Sequence, residues 1–101
     1  MKLVIVTAVE EFQKDILKIF KNANIENFSS SDIDGYKNAP SLLMASNWFS
    51  AGKNGAKSIM FFSFTSKEKI DDLFNLLEEF NSTIETNNPI KAIVLPIEKF
   101  I

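Results

Sequence analysis

The chain has 101 residues, 46% of them hydrophobic, a net charge of −2, and no cysteine, histidine or arginine. That suffices for one hydrophobic core but not two, and it argues against general nucleic-acid binding, which depends on clustered cations. It also removes the disulfide framework and the thiol and imidazole groups behind most transition-metal and nucleophilic sites, so no catalytic residue is assigned and an enzyme is not expected.

The first segment, KLVIVTAV at 2–9, is short, apolar and rich in β-branched residues, which suits a strand. The start has neither the basic region nor the continuous apolar run of a secretory signal, and no stretch reaches the roughly 18 apolar residues of a membrane span. A cytoplasmic protein without direct membrane insertion is expected. From Glu10 the period changes: Phe12, Ile16, Ile19, Phe20 and Ala23 recur at helical spacing behind Glu10 and Glu11, whose charges suit a helix N-terminus. Fraying is expected at 22–24. Residues 25–36, IENFSSSDIDGY, alternate weakly and are predicted to be a second strand.

After a long connection, SIMFFSFT at 58–65 is a strongly β-prone third strand, and Thr65 with Glu68 has the Thr-x-x-Glu spacing of a capping box. Ile70, Leu73, Phe74, Leu77 and Phe80 form the apolar stripe of a second helix, which the turn-forming residues of 81–89, NSTIETNNP, are expected to end. Residues 90–95 read as a fourth strand with Pro96 at its edge or end. The order is βαββαβ, an α+β ferredoxin-like arrangement: one domain over 1–101, a four-stranded antiparallel sheet and two helices on one face.

Two helices cover only one side of a sheet, yet both sides of this one are apolar. Leu3 and Ile5 oppose Val4 and Val6; Ile59 and Phe61 oppose Met60, Phe62 and Phe64; Ala92 and Val94 oppose Ile93, Leu95 and Ile97. Leaving that many large side chains in water forgoes about 1.5 to 3 kcal/mol each, so the open face is expected to be buried against other subunits. The other reading is that the long connection or the segment after the fourth strand folds over it.

FSSSDIDGY at 28–36 resembles the second strand of the PII-like signalling superfamily, which ends in a Gly-aromatic pair before a long loop called the T-loop. IKAIVLPIEKF at 90–100 resembles that family's closing strand with its Val-Leu-Pro-Val/Ile-Glu run, and the order of elements is similar over nearly the whole chain. The resemblance implies a homotrimer with adenine nucleotide bound between subunits. It places Ser29 at the strand-two hydroxyl, Gly35 at the glycine before the aromatic, and Lys91 at the lysine opening strand four. Lys37 and Asn38 stand where the family has Gly and Arg, and 87–90, Asn-Asn-Pro-Ile, replaces its glycine-rich phosphate loop. A phosphate cradle needs successive backbone N–H groups in conformations that glycine adopts most readily, and Pro89 has no N–H, so the cofactor stays unknown: a nucleotide, a different ligand, or none.

The T-loop position, about 37–57, holds three lysines over GYKNAPSLLMASNWFSAGKNGAKS, no acid, and the only tryptophan. Pro40 can open a short helix in which Met44 and Trp48 lie on one side at i, i+4, ended by Gly52, Asn54 and Gly55. Leu43, Met44, Trp48 and Phe49 with Lys53 and Lys57 at the rim suit a protein-docking surface, or pack on their own trimer. A Met and Trp site for cuprous ion lacks the Cys or His that would complete it. The acids, Asp32 and Asp34, Asp71 and Asp72, Glu78 and Glu79, read as solvated faces.

The expected function is therefore that of a PII-like regulatory protein. Its loop docks on a target protein, a membrane transporter or a metabolic enzyme, and an effector sits in the intersubunit cleft near Ser29, Gly35, Lys37 and Lys91. The alternative is a CutA-like metal- or small-molecule-binding trimer with a structural loop. An enzyme using carboxylates alone is the third reading.

Overall fold

The β-branched run KLVIVTAV forms β1 (Lys2–Val9), followed by a single 3-10 turn at Glu10–Phe12 and helix α1 (Gln13–Asn22). Then come β2 (Ser29–Gly35), β3 (Ala56–Thr65), α2 (Lys67–Thr83) and β4 (Lys91–Pro96). The computed structural model describes residues 1–36 and 56–101. Their strands make one antiparallel sheet of order β2-β3-β1-β4. Because β1 and β2 both run antiparallel to the β3 between them, they are mutually parallel and need a crossover, which contains α1. The same holds for β3 and β4 on either side of β1, joined through α2. This α+β architecture with two helices is compatible with a ferredoxin-like fold.

Alternation decides the two faces. Val4, Val6, Ile59 and Phe61 are buried against Ile16, Ile19 and Phe20 of α1 and Ile70, Leu73 and Leu77 of α2, in the stripes expected from their spacing. Phe20 is the hub: its ring lies 4.9 Å from Phe28 and 5.5 Å from Phe61. Phe12 and Phe80 meet edge-to-face at 5.5 Å, tying the start of α1 to the end of α2. Ala92 packs on this core, but Val94, expected on the same side, remains 42% exposed. The helical cover thins over the outer end of β4.

Local chemistry moved several boundaries. α1 ends in a left-handed Asn24 (φ 60°), with the Asn24 N–H donating to Lys21 and the Ile25 N–H to Phe20, both at 3.0 Å. This Schellman pattern turns Ile25 into the core beside Phe20, so β2 begins at Ser29 and not at 25. The lead-in is held by the buried Ser63, whose hydroxyl donates to the Asn27 carbonyl. The N-cap of α2 is Ser66, whose hydroxyl accepts from the Lys69 N–H at 3.5 Å, so the expected Thr65–Glu68 capping box does not form: Thr65 still pairs with Lys2 in the sheet. In the first turn of α2, the Asp71 carboxylate lies 2.8 Å from the Lys67 ammonium and holds that group above its ordinary pKa. α2 also runs past Asn81 to Thr83, because the Ser82 and Thr83 hydroxyls donate to the Glu79 and Phe80 carbonyls of the last turn.

Candidate functional site

The registers lay out the helix-free face, the one that neither helix of the described residues covers, in rows that cross the sheet. Leu95, Leu3 and Phe64 form one; Ile93, Ile5, Phe62 and Ser29 the next; Lys91, Thr7, Met60 and Ser31 the third. The first two rows are apolar across β4, β1 and β3, and the face turns polar only at β2 and at the Lys91–Thr7 end. Phe64 is 55% exposed, Leu95 40% and Ile93 37%, while Leu3, Ile5 and Phe62 are half-buried by one another. Phe62 and Phe64 meet edge-to-face at 6.2 Å.

The same registers place the expected ligand residues. Ser29 and Lys91 both lie on this face but in different rows and on opposite edge strands, three strand spacings or about 14 Å apart across the sheet alone. Gly35 is buried at the far end of β2, opposite Ala56. One subunit therefore does not bring Ser29, Gly35 and Lys91 together. Lys37 and the docking residues Leu43, Met44, Trp48, Phe49 and Lys53 lie outside the described residues.

The segment that replaces the phosphate loop is closed to anions by its own hydrogen bonds. The Asn88 N–H donates to the Thr86 hydroxyl at 3.0 Å, Pro89 has no N–H, and the Ile90 N–H donates to the Asn81 side chain at 2.9 Å. None of three consecutive backbone positions offers a donor to a phosphate. The neighbouring depression at Ile84, Glu85, Thr86 and Asn87 is shallow and carries no lysine.

Two further depressions border β2. One, of 240 Å³, sits where β2 leaves the described chain and is lined by Glu10, Asp32, Ile33, Asp34, Lys57 and Ser58, with Asp34 opposite Lys57 in the ladder. The other, of 410 Å³, lies at the opposite end of β2 and takes in Glu26, Phe28 and Ser29 together with Phe62 and Phe64. Among the described residues no group of three or more acids assembles that could hold a metal ion, and no helix is long and apolar enough to cross a membrane. Neither depression was legible from the sequence. Ser63 and Asn27 line the second, joined by a hydrogen bond from the Ser63 hydroxyl to the Asn27 carbonyl that links residues 36 apart in sequence.

No known protein-family model matches the chain, and no curated protein matches it.

Proposed function

We propose that the chain is a ferredoxin-like βαββαβ subunit of a cytoplasmic homotrimer resembling the PII-like signalling proteins, and that it acts by binding. The loop at about 37–57 docks on a target protein, a transporter or a metabolic enzyme, through Leu43, Met44, Trp48 and Phe49 with Lys53 at the rim. A small-molecule effector seats between subunits near Ser29, Gly35, Lys37 and Lys91. It shifts the loop between two states for which its affinity differs.

The observation that carries this reading is the apolar sheet face. Leu3, Ile5, Phe62, Phe64, Ile93 and Leu95 form two contiguous rows that no helix among the described residues covers. Completing the burial of such half-exposed side chains is worth about 1 kcal/mol each, which favours a face shared between copies. The positions of Ser29 and Lys91 on opposite sheet edges fit a cleft in which the edge of one copy meets the other edge of the next. The engaged amides at 88–90 favour an effector held by side chains and not by a phosphate cradle.

Light scattering tests the assembly: a three-subunit mass at micromolar concentration is expected, and a one-subunit mass overturns it. Recovery of a partner with wild type but not with Trp48→Ala supports docking through the loop, whereas equal recovery removes the loop as the contact. Trp48 fluorescence that responds to divalent or cuprous ions would favour the CutA-like alternative.

A further inference from the structure

We propose that the segment at 97–101, IEKFI, of one copy seats in the depression beside Glu26, Phe62 and Phe64 of the next, so that the contact between copies runs head to tail. This rests on the trimer reading and names the contact that closes it. Two apolar features stay largely exposed among the described residues. After a bend at Glu98, Phe100 is 78% exposed and Ile101 fully so; at the other edge of the sheet, Phe64 is 55% exposed on the rim of a 410 Å³ depression.

Their chemistry matches. The segment carries Lys99 beside the Phe100 ring, and the depression carries the exposed Glu26 carboxylate beside the edge-to-face pair Phe62 and Phe64. A third ring joins such a pair through its edges, while lysine and glutamate meet at the rim. Their positions match as well. β4 ends with Pro96 opposite Lys2, and Phe64 stands opposite Leu3, so segment and depression lie at the same end of the sheet. They lie on its opposite edges, β4 and β2. A copy rotated about an axis along the strands brings its β4 edge to its neighbour's β2 edge with those ends level. Such a heterologous contact closes into a ring when the rotation divides a full turn.

The test is light-scattering mass against concentration for the full chain and for Phe100→Ser, Phe64→Ser and their equimolar mixture. Both residues are exposed, so both variants are expected to fold, with wild-type circular dichroism as the check. Each variant is expected to need at least tenfold more protein to assemble, and the mixture to give a two-subunit particle, because one intact segment meets one intact depression. Glu26→Lys is expected to weaken assembly and a second change, Lys99→Glu, to restore it. Wild-type curves for both phenylalanine variants overturn the contact and leave the trimer standing. A wild type of one-subunit mass overturns the trimer and the contact together. Single variants that fail to assemble and a mixture that stays at one-subunit mass show that the segment serves its own chain, and a double charge variant no better than Glu26→Lys alone overturns the seating.

Discussion

The Asn81 side chain grips the backbone of Ile90 from both sides: its Nδ2 donates to the Ile90 carbonyl and its Oδ1 accepts from the Ile90 N–H, each at 2.9 Å. An amide thereby does for one residue what a neighbouring strand would do, and it fixes β4 against the last turns of α2 at the residue before the ladder begins. Ile90 is buried, so water does not replace these bonds. Asn81→Ala is expected to cost about 2 kcal/mol, read as a lower urea midpoint with an unchanged m-value. Asn81→Asp keeps the acceptor but sets a carboxylate against the Ile90 carbonyl. The folded state then raises the pKa of that carboxyl, so this variant is expected to be less stable near neutral pH than in mild acid.

The same bond bears on ligands. With the amides of Asn88 and Ile90 engaged and Pro89 lacking one, ATP has no cradle at 88–90, and Lys91 alone is a point charge. Millimolar ATP is expected to leave the melting temperature unchanged, since only a ligand that binds the folded state raises it. A rise of several degrees, lost in Lys91→Ala, would show that another set of donors holds the phosphates.

The strands, both helices and the two-sided character of the sheet were legible because each rests on local periodicity: Val4 against Leu3, Phe61 against Phe62, Ile16 and Phe20 one helical turn apart. What escaped depends on partners distant in sequence. Ser63 to Asn27 spans 36 residues and Asn81 to Ile90 spans nine, and no spacing rule announces either. Thr65 had the sequence of a cap and was claimed by the sheet, leaving Ser66 to cap the helix. For the candidate site, the resemblance supplied Ser29, Gly35 and Lys91 one at a time, but only the strand order reveals that Ser29 and Lys91 lie on opposite edges. The 410 Å³ depression is lined by Glu26, next in sequence to the buried Ile25, whose inward turn follows from one residue's backbone.

That residue is Asn24, at φ 60° where a side chain crowds the backbone and only glycine is free of penalty. Asn24→Gly is expected to be neutral or stabilising by up to about 1 kcal/mol, and Asn24→Val to cost about 1 to 2 kcal/mol. For a domain of this size each kcal/mol moves the melting temperature by about 4 to 8 °C, so the pair separates clearly in a thermal scan. Equal melting of both variants would mean that the turn relaxes without cost.

Capping is tested at neighbouring hydroxyls. Ser66→Ala removes the acceptor of the Lys69 N–H and is expected to cost about 0.5 to 1 kcal/mol, at the low end of the usual range because the bond is long at 3.5 Å. Thr65→Val keeps a β-branched side chain opposite Lys2 and is expected to leave stability within about 0.5 kcal/mol of wild type. The reverse order in denaturant unfolding would return the cap to Thr65.

Phe61 and Phe62 are adjacent in β3 and face opposite ways, which lets one strand separate folding from assembly. Phe61 is 1% exposed and its ring lies 5.5 Å from Phe20 and 5.9 Å from Phe28, so Phe61→Ala opens a cavity in the core and is expected to cost about 3 to 5 kcal/mol. That is a large share of the roughly 5 to 15 kcal/mol available to a domain, and unfolding is expected at a far lower urea concentration. Phe62 touches Phe64 on the helix-free face and leaves the core intact when replaced. Phe62→Ser is expected to shift subunit unfolding in dilute solution by no more than about 1 kcal/mol while reducing the mass seen by light scattering at higher concentration. Equal destabilisation of the dilute subunit by both changes would mean that the chain covers this face itself, and the assembly argued from it would fall.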